Sequence, residues 1–401
     1  MKYKLGEIAE ITMGQSPKSQ YYNNTGDGIP FLQGNRTFGF KKPTFDTYTT
    51  HITKTAKAGD VIMSVRAPVG DLNITPKDIC IGRGVCSLRM KNGNQEFLYY
   101  MMKYYVNHLL KRESGTVFGS VNRHDIETLE IDIPEDENIQ KKIARYLSMI
   151  DEKIELNSSI NNNLEQQAVL LFKKWFIEFD NTSKNILETR FGLIPESFKL
   201  LKNGELPLVV TDYVANGSFA SLKANVTLYQ EPNYAYFIRN TDLKSGTFEV
   251  FVDEHSYNFL SKSTLYGGEI IISNVGDVGS VFLCPKLDKP MTLGNNIIML
   301  RPEQENLRYY LYIWFKWLYG QSLIQGIKGG SAQPKFNKTD FKNLPIFLPP
   351  DDLLEQFHKI VKPMFELIDE NNAENQTLIR TRDAILPRLM SGELDVSDID
   401  I

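Results

Sequence analysis

Residues 140–179 read QKKIARYLSMIDEKIELNSSINNNLEQQAVLLFKKWFIEF and contain neither proline nor glycine. Such a run predicts a helix, and at 1.5 Å per residue this one would be about 60 Å long. Apolar residues and asparagines alternate along it at spacings of three and four, which is a heptad pattern typical of a helix packed on a partner helix. The pattern comprises Leu147, Ile150, Ile154, Asn157, Asn161, Leu164, Ala168, Leu171 and Trp175.

A candidate partner helix lies near the C-terminus, because the same spacing recurs there. The second pattern comprises Phe365, Ile368, Asn372, Asn375, Ile379, Arg382, Leu386 and Leu389. We call the mutually facing residues of the two helices the seam. Asparagine in such a seam typically sets register and orientation at some expense of stability. We therefore expect Asn157, Asn161, Asn372 and Asn375 to fix an antiparallel pairing.

Length and composition restrict the class of protein. A chain of 401 residues exceeds one comfortable core, so two or more domains are expected. No run of 18 apolar residues occurs, and the first residues, MKYKLGEIAEI, are too polar for a signal peptide. The three cysteines are scattered and form neither a disulfide framework nor a metal-ligand spacing. We expect a reduced, cytoplasmic protein.

An internal repeat relates the two halves of the chain. Ala58–Gly70 aligns with Gly267–Gly279, and Asp125–Pro134 aligns with Asp340–Pro349. The order of the matches never breaks, and short apolar β-rich runs alternate with helical segments inside each copy. The predicted fold class is therefore α+β: two mixed α/β domains in tandem, each followed by a long helix, with the two helices packed as an antiparallel coiled coil of pseudo-two-fold symmetry. The predicted segments are a first domain at 1–134, a first helical region at 135–180, a second domain at 181–349 and a second helical region at 350–401.

Recognisable catalytic chemistry is absent from the sequence. There is no G-x-x-x-x-G-K-[ST] loop, and the five histidines are dispersed without a metal-ligand partner at i+4. The repeats preserve mainly glycine, proline and apolar positions, whereas a duplicated enzyme would be expected to repeat its acid, base or nucleophile. The pattern favours binding over catalysis, with no metal site.

Loops that combine glycine with amide, hydroxyl and basic side chains are the candidate ligand-binding segments. Arginine, glutamine and asparagine can pair with base edges, while lysine, serine and threonine suit phosphates. The loop sequences differ between the halves although the frame repeats, as expected for one scaffold that recognises two sequences. The candidate DNA-binding residues are Gln15, Ser16, Gln33, Asn35, Arg36, Arg66, Ser114, Thr116, Asn122, Arg123, Arg239, Asn240, Asn274, Lys328, Ser331, Gln333 and Lys335.

Several motifs resemble those of specificity subunits of type I restriction–modification enzymes. Residues 171–179 (LFKKWFIEF) and 385–394 (ILPRLMSGEL) resemble the ends of that family's two conserved helical regions. Gly14–Pro17 (GQSP), Ile29–Phe31 (IPF) and Ala58–Asp60 (AGD) resemble elements of its target recognition domains. The second half departs from this pattern, because Ala67-Pro68 is replaced by Gly276-Asp277 and GQSP by Gly217-Ser-Phe-Ala.

The resemblance implies a non-catalytic subunit that recognises a split DNA target, one half-site per domain. Half-sites recognised from one face would lie about one helical turn, roughly 34 Å, apart. It also implies docking of two methyltransferase subunits on the helices, and restriction subunits as further partners. The chain itself would carry no cofactor: S-adenosylmethionine would bind the methyltransferase, and ATP and Mg²⁺ the restriction subunit. The alternative is a non-catalytic scaffold or adaptor whose paired domains bind protein.

Overall fold

The computed structural model describes residues 1–110, 119–180, 186–189, 192–330 and 333–397. Two compact units make up the chain: Met1–Asn157 with Glu374–Ile401, and Ser158–Ala373. Each unit therefore contains one part of a first long helix, Glu137–Phe176, and one part of a second, Asp351–Met390. None of the helices in the described ranges is long and apolar enough to span a membrane.

The first unit is built on two sheets. A four-stranded antiparallel sheet has the order Ala9–Met13, Val85–Met90, Val61–Ser64, Leu72–Ile74. A five-stranded sheet, in which the strands Ile29–Leu32 and Ile79–Ile81 pair in parallel, has the order Tyr22–Asn23, Tyr48–Thr49, Ile29–Leu32, Ile79–Ile81, Thr55–Ala56. A two-stranded sheet joins Lys2–Lys4 to Glu130–Asp132.

Helices cover the four-stranded sheet of the first unit and complete its core. Helix Gln95–Leu110 packs Tyr99, Tyr100 and Tyr105 into a core that it shares with apolar residues of the sheet, and Tyr100 is fully buried. Leu147 and Leu386 of the long helices join the same core. The remaining helices of this unit are short: Leu5–Ile8, Ser19–Tyr21 and Arg123–Glu127.

The second unit repeats this topology. Its four-stranded sheet has the order Leu208–Asp212, Ile297–Pro302, Ile270–Ser273, Val281–Leu283. Its five-stranded sheet, again with one parallel pair, has the order Leu228–Tyr229, Phe251–Val252, Ala235–Ile238, Met291–Leu293, Thr264–Leu265. Its short helices are Asn203–Glu205, Tyr213–Asn216, Phe219–Asn225, Asn240–Ser245, Glu254–Phe259, Ser261–Ser263, Leu307–Lys316, Leu318–Gly326 and Lys338–Lys342.

A buried acid–arginine pair recurs at equivalent places in the two units. Asp60, 3% exposed, bonds Arg89 at 2.7 Å and accepts a hydrogen bond from Ser87. Glu269, also 3% exposed, bonds Arg301 at 2.9 Å. A buried carboxylate requires a partner of this kind, so the repeat preserves a structural charge pair as well as apolar positions.

In the first unit the two long helices run antiparallel. Asp151 meets Arg382 at 2.7 Å, and further along the same helix Asn157 donates to Asn375 at 2.9 Å and to Glu374 at 2.6 Å. Asp151, Asn157 and Arg382 are all less than 5% exposed. The seam here is thus centred on a buried ion pair followed by a buried asparagine pair.

In the second unit the antiparallel pairing continues through Asn161. Its side chain donates to Asn372 at 3.0 Å and accepts from Asn371 at 2.8 Å. Aromatic packing follows, with Phe172 and Phe176 fully buried against Phe357. The fold class and the antiparallel helix pairing predicted from the sequence are confirmed.

The structure corrects several details of the seam. The first long helix spans Glu137–Phe176 rather than 140–179, because Asp136 caps its start and Phe179 takes a left-handed backbone with φ of 60°. Asn372 is exposed, and its neighbour Asn371 is buried instead. Of the other predicted seam residues, Leu147, Ile154, Asn157, Ala168, Phe365, Asn375, Arg382, Leu386 and Leu389 are buried, while Ile150, Asn161, Leu164, Leu171, Trp175, Ile368 and Ile379 are half-buried.

The segment 181–207, which begins the predicted second domain and contains two prolines, is partly structured. Ile186–Thr189 pairs with Gly192–Pro195, and Lys199–Lys202 pairs with Pro345–Leu348. The latter pair repeats the two-stranded sheet at the start of the first unit. The residues 181–185 and 190–191 lie outside the described ranges. The four-segment division of the chain remains a prediction.

Candidate DNA interface

In the first unit, five loops are hydrogen-bonded to one another at one edge of the sheets. The Gln15 amide donates to Ile81, the Gly82 amide to Leu32, and the Val65 amide to Gly84, each at 2.8–2.9 Å. Val121 joins them by donating to Val65. Side chains that follow these strands are therefore gathered in one place, which we call the first loop cluster (13–17, 32–36, 64–66, 81–84 and 119–122).

Glycine at position 14 is required for this arrangement. A Cβ atom there would lie 2.1 Å from the carbonyl oxygen of Gly82 and 2.6 Å from that of Val85. The close approach is thus to the protein's own backbone. Gly14 supports the cluster by letting its loops pack together.

Polar side chains at the centre of the cluster include three of the predicted residues. The Ser16 hydroxyl donates to the side-chain oxygen of Gln33 at 2.9 Å and accepts from the backbone amide of Arg83 at 3.1 Å, while the Gln15 side chain is exposed. The Arg83 side chain is also exposed. It was missed as a candidate, although its Gly82-Arg83-Gly84 setting gave the signal. Amide, hydroxyl and guanidinium groups together suit base edges and phosphates.

Two predicted arginines of the first unit differ in how far they are free to bind a ligand. Arg36 forms an exposed ion pair with Asp46 at 2.8 Å, and this hydrogen bond lowers the pKa of Asp46. Arg66 is exposed, and its side chain has no hydrogen bond or ion pair within the described ranges. Asn35 donates to Asp71 at 2.5 Å.

At the far side of the cluster, Asn122 has a structural function. Its side-chain oxygen accepts from the amides of His124 and Asp125 and caps helix Arg123–Glu127. Arg123 pairs with Glu127 at 2.6 Å on the exposed face. Ser114 and Thr116 lie outside the described residues, as does Ser331 of the second unit.

The second unit has an equivalent loop cluster (238–240, 274–276, 294–296 and 333–336). The Gly294 amide donates to Ile238, the Asn274 amide to Asn296, and the Phe336 amide to Asn274. Asn240 donates to Asp277 at 3.4 Å. The side-chain oxygens of Asn240 and Asn274 are buried and have no hydrogen-bond partner in the described structure, and buried polar atoms normally have one.

The basic residues of the second cluster also divide into paired and exposed groups. Arg239 holds the buried Asp242 through bonds of 2.6 and 3.0 Å, and this interaction raises the arginine's pKa. Lys335 is exposed, while its backbone pairs with Gly329. Lys328 contacts Gln325 at 3.2 Å, and Gln333 is exposed.

The described residues offer no site suited to metal or thiol chemistry. No group of three or more His, Cys, Asp or Glu in these ranges could hold a metal ion. The three cysteines are buried and free, and burial raises the pKa of Cys86 to about 12. A thiol with that pKa is protonated near neutral pH and is not a nucleophile.

Comparisons with known proteins agree with this geometry. A family profile described as the type I restriction modification DNA specificity domain matches residues 1–166 and 195–380. The chain belongs to this family of DNA specificity proteins.

Curated relatives extend over nearly the whole chain. It is 25% identical to the type I restriction enzyme MjaIX specificity subunit of Methanocaldococcus jannaschii, covering 99% of this chain and 94% of the relative. It is 24% identical to the HindI specificity subunit of Haemophilus influenzae, covering 98% and 99%. The S subunit of a type I restriction–modification system from M. genitalium has a similar fold, with a TM-score of 0.55, 17% identity and coverage of 99% and 96%.

Proposed function

We propose that this chain is the specificity subunit of a type I restriction–modification complex and recognises one half of a split DNA target with each loop cluster. The observation that carries the proposal is the repeated loop cluster with different side chains at equivalent positions: Gln33 and Arg83 in one copy, Arg239 and Asn295 in the other. Identical frames with different polar ends fit two different half-sites. The chain itself would be non-catalytic and cofactor-free.

The proposal includes docking of methyltransferase subunits on the long helices. Two exposed apolar residues support this part of the proposal: Met149 and Leu156 of the first long helix are 47% and 55% exposed. A helix with no partner on that face would normally carry polar residues there. S-adenosylmethionine would bind the methyltransferase, and ATP and Mg²⁺ any restriction subunit. Met149→Glu and Leu156→Glu should reduce copurification of the methyltransferase, while Asn138→Glu, on the same helix, should not.

Methylome sequencing tests the recognition function. A host expressing this chain with its neighbouring methyltransferase subunit should acquire a split adenine-methylated motif that is missing without the chain. Exchanging residues 1–134 for those of a relative should change one half of the motif only. A soluble complex with an active methyltransferase but no new motif would refute the proposal and favour a protein-binding scaffold.

Single substitutions test the assignment of the loop clusters. Arg66→Ala and Arg83→Ala should each weaken binding of the assembled complex to target DNA, because an exposed guanidinium that contacts a phosphate or a base is lost. Arg380→Ala is the matched control, since that arginine is exposed on the second long helix and belongs to neither loop cluster. Equal losses from all three variants would contradict a specific interface.

A further inference from the structure

A cleft of about 720 Å³ opens in the second unit, beside its loop cluster. One wall is formed by Asn162, Glu165 and Asp369 of the long helices. Tyr312 and Lys316 of helix Leu307–Lys316 and the edge strand Val281–Leu283 complete it. The cleft therefore combines a sheet edge with carboxylates, which are features that can bind a polypeptide.

The first unit fills the equivalent place with its own loop. The Ile74 amide, on the edge strand Leu72–Ile74, donates to the Lys41 carbonyl oxygen at 2.8 Å. The Lys41 ammonium, with its side chain only 7% exposed, bonds Glu96 at 2.8 Å and lies 4.0 Å from Asp151. Thus a lysine-bearing loop contacts the edge of this strand and places its ammonium group beside two carboxylates.

In the second unit the corresponding strand edge is unpaired. Leu283 corresponds to Ile74, because Ile270 pairs with Leu283 as Val61 pairs with Ile74. Cys284 donates across the sheet to Glu269, so the alternating ladder directs the Leu283 amide to the outer edge. Within the described ranges this amide has no hydrogen-bond partner. An unpaired edge of this kind can accept an added strand.

The charges of the cleft leave one carboxylate unmatched. Glu165 bonds Lys316 and Tyr312, both at 2.5 Å, and Lys244 bonds Asp277 at 2.7 Å. Asp369, which aligns with Asp151 of the first unit, has no hydrogen bond or ion pair in the part of the chain that the structure describes.

The surroundings of Asp369 disfavour its charged form. Desolvation is the largest effect and raises the pKa of the Asp369 carboxyl, while the charges of Lys286 and Arg308 lower it. The Asp369 side chain is exposed, so it is accessible to an added cation.

We propose that this cleft binds an extended, lysine- or arginine-bearing segment of a partner protein. The segment adds its backbone to the edge of strand Val281–Leu283, and its basic side chain pairs with Asp369. In the first unit, Lys41 occupies the corresponding place, 4.0 Å from Asp151. Strand addition supplies affinity through backbone hydrogen bonds, and a side-chain pocket supplies specificity. This inference rests on the comparison of the two units and is independent of DNA recognition.

Selection from a random ten-residue peptide library on the full-length chain tests the proposal. Enriched peptides should share one lysine or arginine at a fixed position. Asp369→Asn should weaken their binding, measured by fluorescence anisotropy, by at least about tenfold, because a charge-assisted hydrogen bond is lost. Glu370→Gln, one residue along the same helix and outside the cleft, should leave binding unchanged.

A second pair of variants separates cleft binding from any effect of Asp369 on folding. Asn162→Lys places a cation inside the cleft, where it should compete with the peptide, whereas Asn163→Lys places the same charge on the exposed surface outside the lining residues. Selective loss with Asn162→Lys supports the proposal. Failure to enrich basic peptides, or equal binding to the Asn162 and Asn163 variants, overturns it.

Discussion

Removal of Asp151 should destabilise the first unit strongly. This carboxylate is 1% exposed, accepts from Tyr100 at 2.6 Å and from Arg382 at 2.7 Å, and lies 4.0 Å from Lys41. Asp151→Ala leaves the 4% exposed Arg382 without its buried partner. Breaking a buried ion pair in this way costs about 3–5 kcal/mol, which corresponds to roughly two to three and a half orders of magnitude in the unfolding equilibrium.

The distribution of tryptophan determines the assay. The three tryptophans, Trp175, Trp314 and Trp317, all belong to the second unit, so their fluorescence does not report directly on the first. Hydrogen exchange measured by mass spectrometry resolves peptides from each unit separately. Exchange should accelerate by roughly two to three and a half orders of magnitude in peptides covering Gln95–Leu110, if exchange there requires opening of the unit. Tryptophan fluorescence should change much less.

A matched control distinguishes burial from charge. Asp383 contacts the same Arg382 at 2.8 Å, but its side chain is 50% exposed. Asp383→Ala should therefore cost no more than about 1 kcal/mol. The double variant Asp151→Leu, Arg382→Met should recover part of the loss, because apolar pairs often replace buried ion pairs without penalty. Less than tenfold faster exchange in Asp151→Ala would refute this reasoning.

Three further outcomes are expected. Gly14→Ala should disrupt the first loop cluster, since its Cβ would lie 2.1 Å from the Gly82 carbonyl oxygen. Methylome sequencing should then show reduced methylation, and a normal methylation level would contradict the argument. Asn157→Leu combined with Asn375→Leu should raise the thermal midpoint of the first unit, because a buried amide pair is exchanged for apolar contact. The same change should loosen the register of the two long helices. An unchanged midpoint together with an unchanged half-site spacing would count against this prediction. Burial lowers the pKa of His358 in the folded protein. As pH falls, the unfolded state therefore binds a proton at this residue before the folded state does. The contribution of neutral His358 to stability should be fully present above about pH 6.5 and should decline below it. Tryptophan fluorescence melts at pH 7.5 and 5.5 should show this decline, and His358→Phe should reduce it; an equal decline in both proteins would refute the assignment.

The sequence predicts the long helices well because heptad spacing over forty residues is a strong local signal. It does not distinguish which face is buried most deeply: Phe172 and Phe176 are fully buried, whereas the predicted Leu171 and Trp175 are only half-buried. The strand Lys199–Lys202 was missed because its partner, Pro345–Leu348, is remote in sequence. A pairing of that kind depends on tertiary contacts rather than on local pattern.

Prediction of the candidate site was limited by side-chain partners. Arg36 and Arg66 have the same residue type in similar polar loops, yet only Arg36 is paired, with Asp46. Asn122 has the composition of a binding residue but caps a helix. Such distinctions depend on which carboxylates and amides the fold places nearby, and loop composition does not contain that information.

The Tyr100–Asp151 contact limits how freely residues 1–134 can be exchanged between relatives during evolution. Asp60 and Arg89 travel together in any exchange of residues 1–134, so that pair survives recombination intact. Tyr100 and Asp151 come from opposite sides of such a crossover. Descendants of successful recombination should therefore retain a hydroxyl or cationic group at the position of Tyr100 or Lys41, even where the first loop cluster has diverged.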